Sequence, residues 1–105
     1  MSARPLAYAF GACRIDERMH VLARDGTPVP VEPLVFDLLV YLIRNRGRLV
    51  TKAELLQTLW ENRAVREDAL AACVRRARRA IGDIDPTHRI IQTVHRRGFR
   101  FVPPG

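Results

Sequence analysis

Lysine is nearly absent from this 105-residue chain: Lys52 is the only one, so arginine supplies almost all of the excess of 18 Lys+Arg over 11 Asp+Glu that gives a formal net charge of +7. Cysteine is scarce too. Cys13 and Cys73 stand far apart, with no C-x-x-C pair and no His/Cys cluster at metal-ligand spacing, which excludes a disulfide scaffold and a zinc site; no metal or other cofactor is expected. Long apolar runs are missing. Leu38 to Ile43 and Ala69 to Val74 are far too short to cross a bilayer, and Leu6 to Cys13, broken by Gly11, makes a poor secretory core. The expectation is a soluble, unexported chain in the reducing cytoplasm.

Catalytic constellations are lacking as well. His20, His88 and His95 lie in separate turns, no serine or cysteine has an evident base, and a Gly-Asp-Ile-Asp-Pro turn accounts for Asp83 and Asp85 better than acid/base chemistry does. An enzyme is not expected.

What is present has the size and balance of one globular domain, with 48% hydrophobic and 28% charged residues over 1–105. A net positive charge carried on arginine points to a polyanionic partner, because such charge concentrates phosphate polymers and releases their counterions. Where the charges fall decides whether that partner is nucleic acid.

Short extended segments at Tyr8 to Phe10, Arg14 to Asp16, Val21 to Ala23 and Val29 to Val31 suggest a small antiparallel sheet over about 6–31, with Asp25-Gly26 as its clearest tight turn. After Pro33 the period becomes helical. Val35, Leu38, Leu39, Leu42 and Ile43 predict a first helix from about Pro33 to Arg46, closed by Gly47. Thr51-Lys52-Ala53-Glu54 has the form of a capping box and opens a short second helix with Leu55, Leu56, Leu59 and Trp60 as its buried stripe. A third helix runs from about Arg66 to Ile81 and stops at Gly82; together the three helices occupy 33–82. Arg89 to Val94 and Phe99 to Val102 read as a hairpin around His95-Arg96-Arg97-Gly98, in which Gly98 would supply a positive backbone angle. Pro103-Pro104-Gly105 resembles the start of a linker.

The third helix carries the functional pattern. Leu70, Val74, Ala77 and Ile81 share one face, while Asp68, Ala72, Arg75, Arg76 and Arg79 fall on the other with Ala69 on the flank. Small residues let the backbone approach base edges, and the arginines can grip a guanine bidentately or clamp phosphates. His95, Arg96 and Arg97 at the hairpin tip can reach the DNA backbone or minor groove beside it. Thr51 and Lys52 open the second helix, where free N–H groups favour a phosphate, although plain capping explains Thr51 at least equally well.

The run from Val65 to Gly82, followed by Ile90-Ile-Gln-Thr-Val-His-Arg-Arg-Gly-Phe-Arg-Phe101, closely resembles the effector domain of OmpR/PhoB-type winged-helix regulators. Pro33 to Leu39, Gly47 to Val50 and Leu55 to Trp60 are also in pattern. Glu32, where a Thr or Ser cap is common, and Ala77, where leucine is usual, depart from it. The resemblance implies an α+β winged helix-turn-helix fold: an N-terminal antiparallel four-stranded sheet, three helices and a C-terminal β-hairpin wing. It also implies base or backbone contacts from Asp68, Ala72, Arg75, Arg76 and Arg79, and phosphate or minor-groove contacts from Thr93, His95, Arg96 and Arg97. Glu61 to Val65, with Glu61, Asn62 and Arg63 foremost, corresponds to the loop such domains use to touch RNA polymerase.

Double-stranded DNA is therefore the expected partner; the domain is expected to be monomeric when free and to pair on repeated half-sites, with no small-molecule ligand. Few residues precede Tyr8, a layout closer to one-component CadC- and ToxR-like members, in which the DNA-binding domain comes first. The competing reading is a protein-interaction module binding an acidic partner. Single-strand or RNA binding ranks third, because Phe36, Trp60, Phe99 and Phe101 sit in core-like patterns rather than on a stacking platform.

Overall fold

A computed structural model describes residues 7–61 and 67–104, Glu67 by its backbone alone. The chain opens with an antiparallel sheet in the order β1 (Ala7–Phe10), β2 (Cys13–Asp16), β3 (Val21–Arg24) and β4 (Thr27–Pro28). Cys13 and Ile15 alternate inward while Arg14 faces out, the period-2 pattern of a sheet with one buried face. Asp25 and Gly26, with φ of 53° and 77°, form the two-residue connection between paired Arg24 and Thr27. The fourth strand lies two residues earlier than the Val29 to Val31 segment read from the sequence. Val29 still donates to the Leu22 carbonyl at 2.7 Å, but Pro30 has no N–H to continue the ladder.

α1 (Pro33–Arg44) buries Val35, Phe36, Leu38, Leu39, Val40, Leu42 and Ile43, a stripe wide enough to make it the centre of the core. Its cap residue Glu32 makes no side-chain capping bond, so Pro33, with its fixed φ, sets the helix start. The helix ends at Arg44 rather than Arg46: Asn45, with φ of −109° and ψ of 23°, leaves helical geometry, and Arg46 N–H reaches the Ile43 carbonyl (3.2 Å) instead of continuing the i→i−4 ladder, while the Asn45 side-chain amide donates to the Tyr41 carbonyl (2.8 Å).

β5 (Val50–Thr51) leads into α2 (Lys52–Trp60). The Thr51 hydroxyl accepts the Glu54 N–H at 3.1 Å, which is the expected cap. The Glu54 carboxylate also accepts from the Tyr41 hydroxyl and from the Arg48 guanidinium, joining α2 to the end of α1. Arg48 first, then Tyr41, hold Glu54 down to about 2, against an ordinary value of 4.5. A carboxylate with a depressed folded-state pKa contributes stability that is complete above about pH 4.5 and is lost as pH falls toward 2. Glu54→Gln is therefore expected to lower stability by roughly 1 kcal/mol or less at neutral pH, since Arg48 is half exposed and its charge is screened. Denaturation curves of the two proteins should converge between pH 4.5 and 2; a gap independent of pH would remove Glu54 ionisation as its cause.

α3 (Glu67–Ile81) packs Leu70, Cys73, Val74, Ala77, Ala80 and Ile81 inward. At its end Asp83 N–H returns to the Arg78 carbonyl (2.8 Å) and Gly82 N–H to that of Arg79 (3.2 Å), the hydrogen-bond pair of a Schellman stop. Cys13 and Cys73 are buried and unbridged, and burial pushes both thiols up, Cys73 to about 11. Neither is a ready nucleophile.

β6 (Ile91–Val94) and β7 (Gly98–Phe101) form the terminal hairpin; β6 starts two residues later than read from the sequence, and β7 is shifted one residue earlier, so that Gly98 belongs to the strand rather than the turn. A feature absent from that reading is the third strand: β5 pairs with β7, giving the order β5-β7-β6. Gly98 serves that pairing. Its φ of 159° is positive, as read from the sequence, while Arg96, with φ of 63°, takes the left-handed turn position. A Cβ at residue 98 would lie 2.8 Å from Thr51 Cα and closer still to the Val50 carbonyl oxygen, so only glycine lets β5 pass. Phe10 meets Phe101 edge to face at 5.2 Å, which ties the first sheet to the second.

Candidate nucleic-acid interface

The buried stripe of α3 fixes its rotation, and what remains outside follows from the helical period. Asp68, Ala69, Arg75, Arg76 and Arg79 are exposed, and Ala72 is half-buried at the margin. The helix thus presents three exposed arginines beside small side chains. Arg24, on β3, reaches across to the C-terminal turn of α3 and donates to the carbonyls of Arg79 (3.2 Å) and Ala80 (3.4 Å), the helix end that favours a cation.

Arg78 was missed by the sequence reading, and its position offered a signal. It stands four residues after Val74 and three before Ile81, beside the buried stripe rather than opposite it. The structure turns it onto the hairpin: Nε and Nη2 donate to the Ile91 carbonyl at 3.0 and 2.6 Å, and Nη2 also to the Thr93 hydroxyl at 2.8 Å. Burial, then the nearby charge of Arg89, push its pKa down, with Asp83 opposing. Arg78 therefore orients the hairpin relative to α3, and Thr93 is both its exposed partner and a predicted DNA contact.

Asp83 was also read too lightly. It is almost fully buried and accepts the N–H groups of Ile90 (2.8 Å) and Ile91 (2.9 Å), with Arg78 Nε 3.9 Å away. The turn residue thereby fixes where β6 begins.

At the hairpin tip His95, Arg96 and Arg97 are all exposed. The Arg97 carbonyl accepts the backbone N–H of Lys52 at 3.1 Å, so the first turn of α2 and the tip are held together. Lys52 is half-buried and Thr51 exposed there. The structure thus groups Thr51 and Lys52 with His95, Arg96 and Arg97, and through Arg78 joins Thr93 to α3. Glu61 caps α2 in a left-handed conformation and is exposed, whereas Asn62 and Arg63, and the rest of that loop to Val65, lie outside the described residues. No helix among the described residues is long and apolar enough to cross a membrane.

A four-stranded antiparallel sheet, three helices and a terminal hairpin that pairs back onto the start of α2 constitute a winged helix-turn-helix. Residues 26–101 match the family model described as "Transcriptional regulatory protein, C terminal". The Streptomyces coelicolor transcriptional regulatory protein AfsQ1 is 30% identical over 97 residues, covering 91% of this chain and 43% of that protein. The response regulator DrrB of Thermotoga maritima, an OmpR/PhoB homologue, superimposes with a TM-score of 0.83 at 29% identity, over 91% of this chain and 44% of that one. The Klebsiella pneumoniae RstA DNA-binding domain, solved in complex with the RstA box, gives a TM-score of 0.79 at 23% identity and covers 93% and 98%. The chain belongs to this family, the OmpR/PhoB-type DNA-binding domains of transcriptional regulators, which are not enzymes. It spans less than half the length of AfsQ1.

Proposed function

We propose that residues 1–105 act as one unit that binds double-stranded DNA sequence-specifically in the cytoplasm, as the DNA-reading part of a bacterial transcriptional regulator. α3 enters the major groove, Arg75, Arg76 and Arg79 reach base edges or flanking phosphates, and Asp68 and Ala72 line the same approach. His95, Arg96 and Arg97 meet the backbone or minor groove, while Thr51, Lys52 and Thr93 hold phosphates. The observation that carries this reading is the exposed arginine face of α3, opposite a face buried in the core. The RstA domain, of the same fold, was crystallised on its box DNA. The loop beginning at Glu61 and continuing through Asn62 and Arg63 is the segment we assign to RNA polymerase contact, and two copies pair on repeated half-sites.

Selection of duplexes from a random pool at near-physiological salt tests the reading. A recovered motif repeated at about one helical turn is expected; unenriched binding, or none, would overturn it. On the recovered duplex Arg76→Ala should cost about 1–3 kcal/mol and relax one position, whereas Lys52→Ala should weaken every duplex alike and lower the salt slope by about 1. An equal loss for Arg76→Ala on random duplex would refute base reading by that side chain.

A further inference from the structure

Where the last two turns of α3 meet the first turn of α1 and the segment joining β4 to α1, an open cavity of about 400 Å³ remains, within the size range of small-ligand sites. Its walls are mostly apolar. Val29, Val31, Val35 and Ala80 line them, and Val29 and Val31 are only half-buried. The polar lining is cationic: Arg24 from β3 and Arg76 and Arg79 from α3 face the space, against one carboxylate, Glu32. Arg24 gives Nη1 to the carbonyls of Arg79 and Ala80, which covers the negative end of α3 and leaves its Nε and Nη2 hydrogens over. Among the described residues neither Arg76 nor Arg79 has a hydrogen-bond or ion-pair partner, and Glu32 makes no capping bond. The cavity therefore joins incompletely covered valines to guanidinium groups with donors to spare.

We infer that this cavity binds a small monocarboxylate with an apolar tail, the tail along Val29, Val31, Val35 and Ala80 and the head taken by Arg76 and Arg79, and that such a ligand competes with DNA. An inorganic anion would leave the valines wet, and a neutral apolar molecule would leave the guanidinium charges unbalanced. A carboxylate with a tail answers both, because the planar fork of arginine matches its two oxygens. Glu32 selects further: its charge at the same space disfavours a doubly charged head such as a phosphate monoester. The competition rests on the function proposed above, since Arg76 and Arg79 are among the side chains assigned there to the duplex, and a guanidinium held by the ligand is withdrawn from base edge or phosphate. No small-molecule ligand is expected from the sequence, because the walls come from segments far apart in the chain.

Decanoate serves as the probe and decanol as its uncharged counterpart, both kept below self-association. The amide shifts of Val29, Val31 and Ala80 in the free 105-residue chain should saturate with decanoate, and decanol should bind roughly tenfold more weakly. Saturating decanoate should weaken binding to the selected duplex roughly tenfold, and saturating duplex should weaken decanoate by the same factor. Val31→Gln places a polar group on the wall and alters no residue assigned to DNA. It should weaken decanoate several-fold, abolish the antagonism at the same decanoate concentration, and leave duplex affinity within about twofold of the parent. Glu32→Gln removes the opposing charge and should tighten decanoate, so it reports on the cavity if Val31→Gln melts early. Shifts that fail to saturate, or that decanol reproduces at the same concentration, would overturn the site; saturation with unchanged duplex affinity would overturn the competition. Failure of the unmodified chain to select any duplex would sink the functional reading, and the decanoate titration would still judge the cavity.

Discussion

Gly98→Ala should destabilise the fold by about 3 kcal/mol, at the upper end for overpacking, because the obstacle is backbone and cannot swing aside. The added methyl would meet Thr51 Cα at 2.8 Å and the carbonyl carbon of Val50 at 2.9 Å. Relief requires β5 to leave β7, which also breaks the hydrogen bond from Lys52 N–H to the Arg97 carbonyl. The variant should melt more than about 10 °C below the parent and lose DNA affinity beyond what its folded fraction explains, since the tip and the start of α2 would no longer be held together. Gly47→Ala is the comparison. Nothing lies within 4 Å of a Cβ there, and only its φ of 89° resists, so a cost near 1 kcal/mol is expected. Equal melting temperatures for the two variants would show that the close approach at Gly98 is not what demands glycine.

The contrast between these glycines also shows which features a sequence reveals. Local chemistry is legible: the Asp25-Gly26 turn, the Thr51 cap, the stop at Gly82 and the amphipathic period of α3 depend on near neighbours, and each appears where its residue types indicate. Features made by distant pairing are not. β5 is two residues long and has no period of its own; it is a strand only because β7 lies beside it. The second demand on Gly98, the close approach of β5, comes from the same pairing, so a turn-based reading saw only its positive φ. β4 was displaced because Val29 to Val31 has the stronger β composition, while the register is set by the turn at Asp25-Gly26 and ended by Pro30. Within the interface, the exposed arginines followed from the helical period, but the inward turn of Arg78 and the burial of Asp83 depend on where β6 packs.

Asp83→Ala should cost about 3–5 kcal/mol, a large share of the 5–15 kcal/mol that typically holds a domain together. The carboxylate is 4% exposed and is the acceptor for two backbone donors, Ile90 N–H and Ile91 N–H. Each, left unpaired out of water, costs about 1–3 kcal/mol. Arg78 loses its nearest carboxylate at the same time, while remaining largely desolvated. Asp83→Asn keeps one carbonyl oxygen for one of the two N–H groups but turns an NH2 toward the other, so about half the loss is expected. Asp85→Ala supplies the control, because its partners Thr87 and His88 are exposed and water can replace the lost bonds; a much smaller loss should follow. Urea denaturation of the three variants decides the matter. If Asp83→Ala fell within 1 kcal/mol of Asp85→Ala, the start of β6 would have to be held by hairpin packing alone, and the path from α3 through Asp83 to the wing would carry no stability. With the expected ordering, Asp83 aligns the exposed arginine face with the wing, and its loss should weaken all duplexes together without changing the preferred sequence.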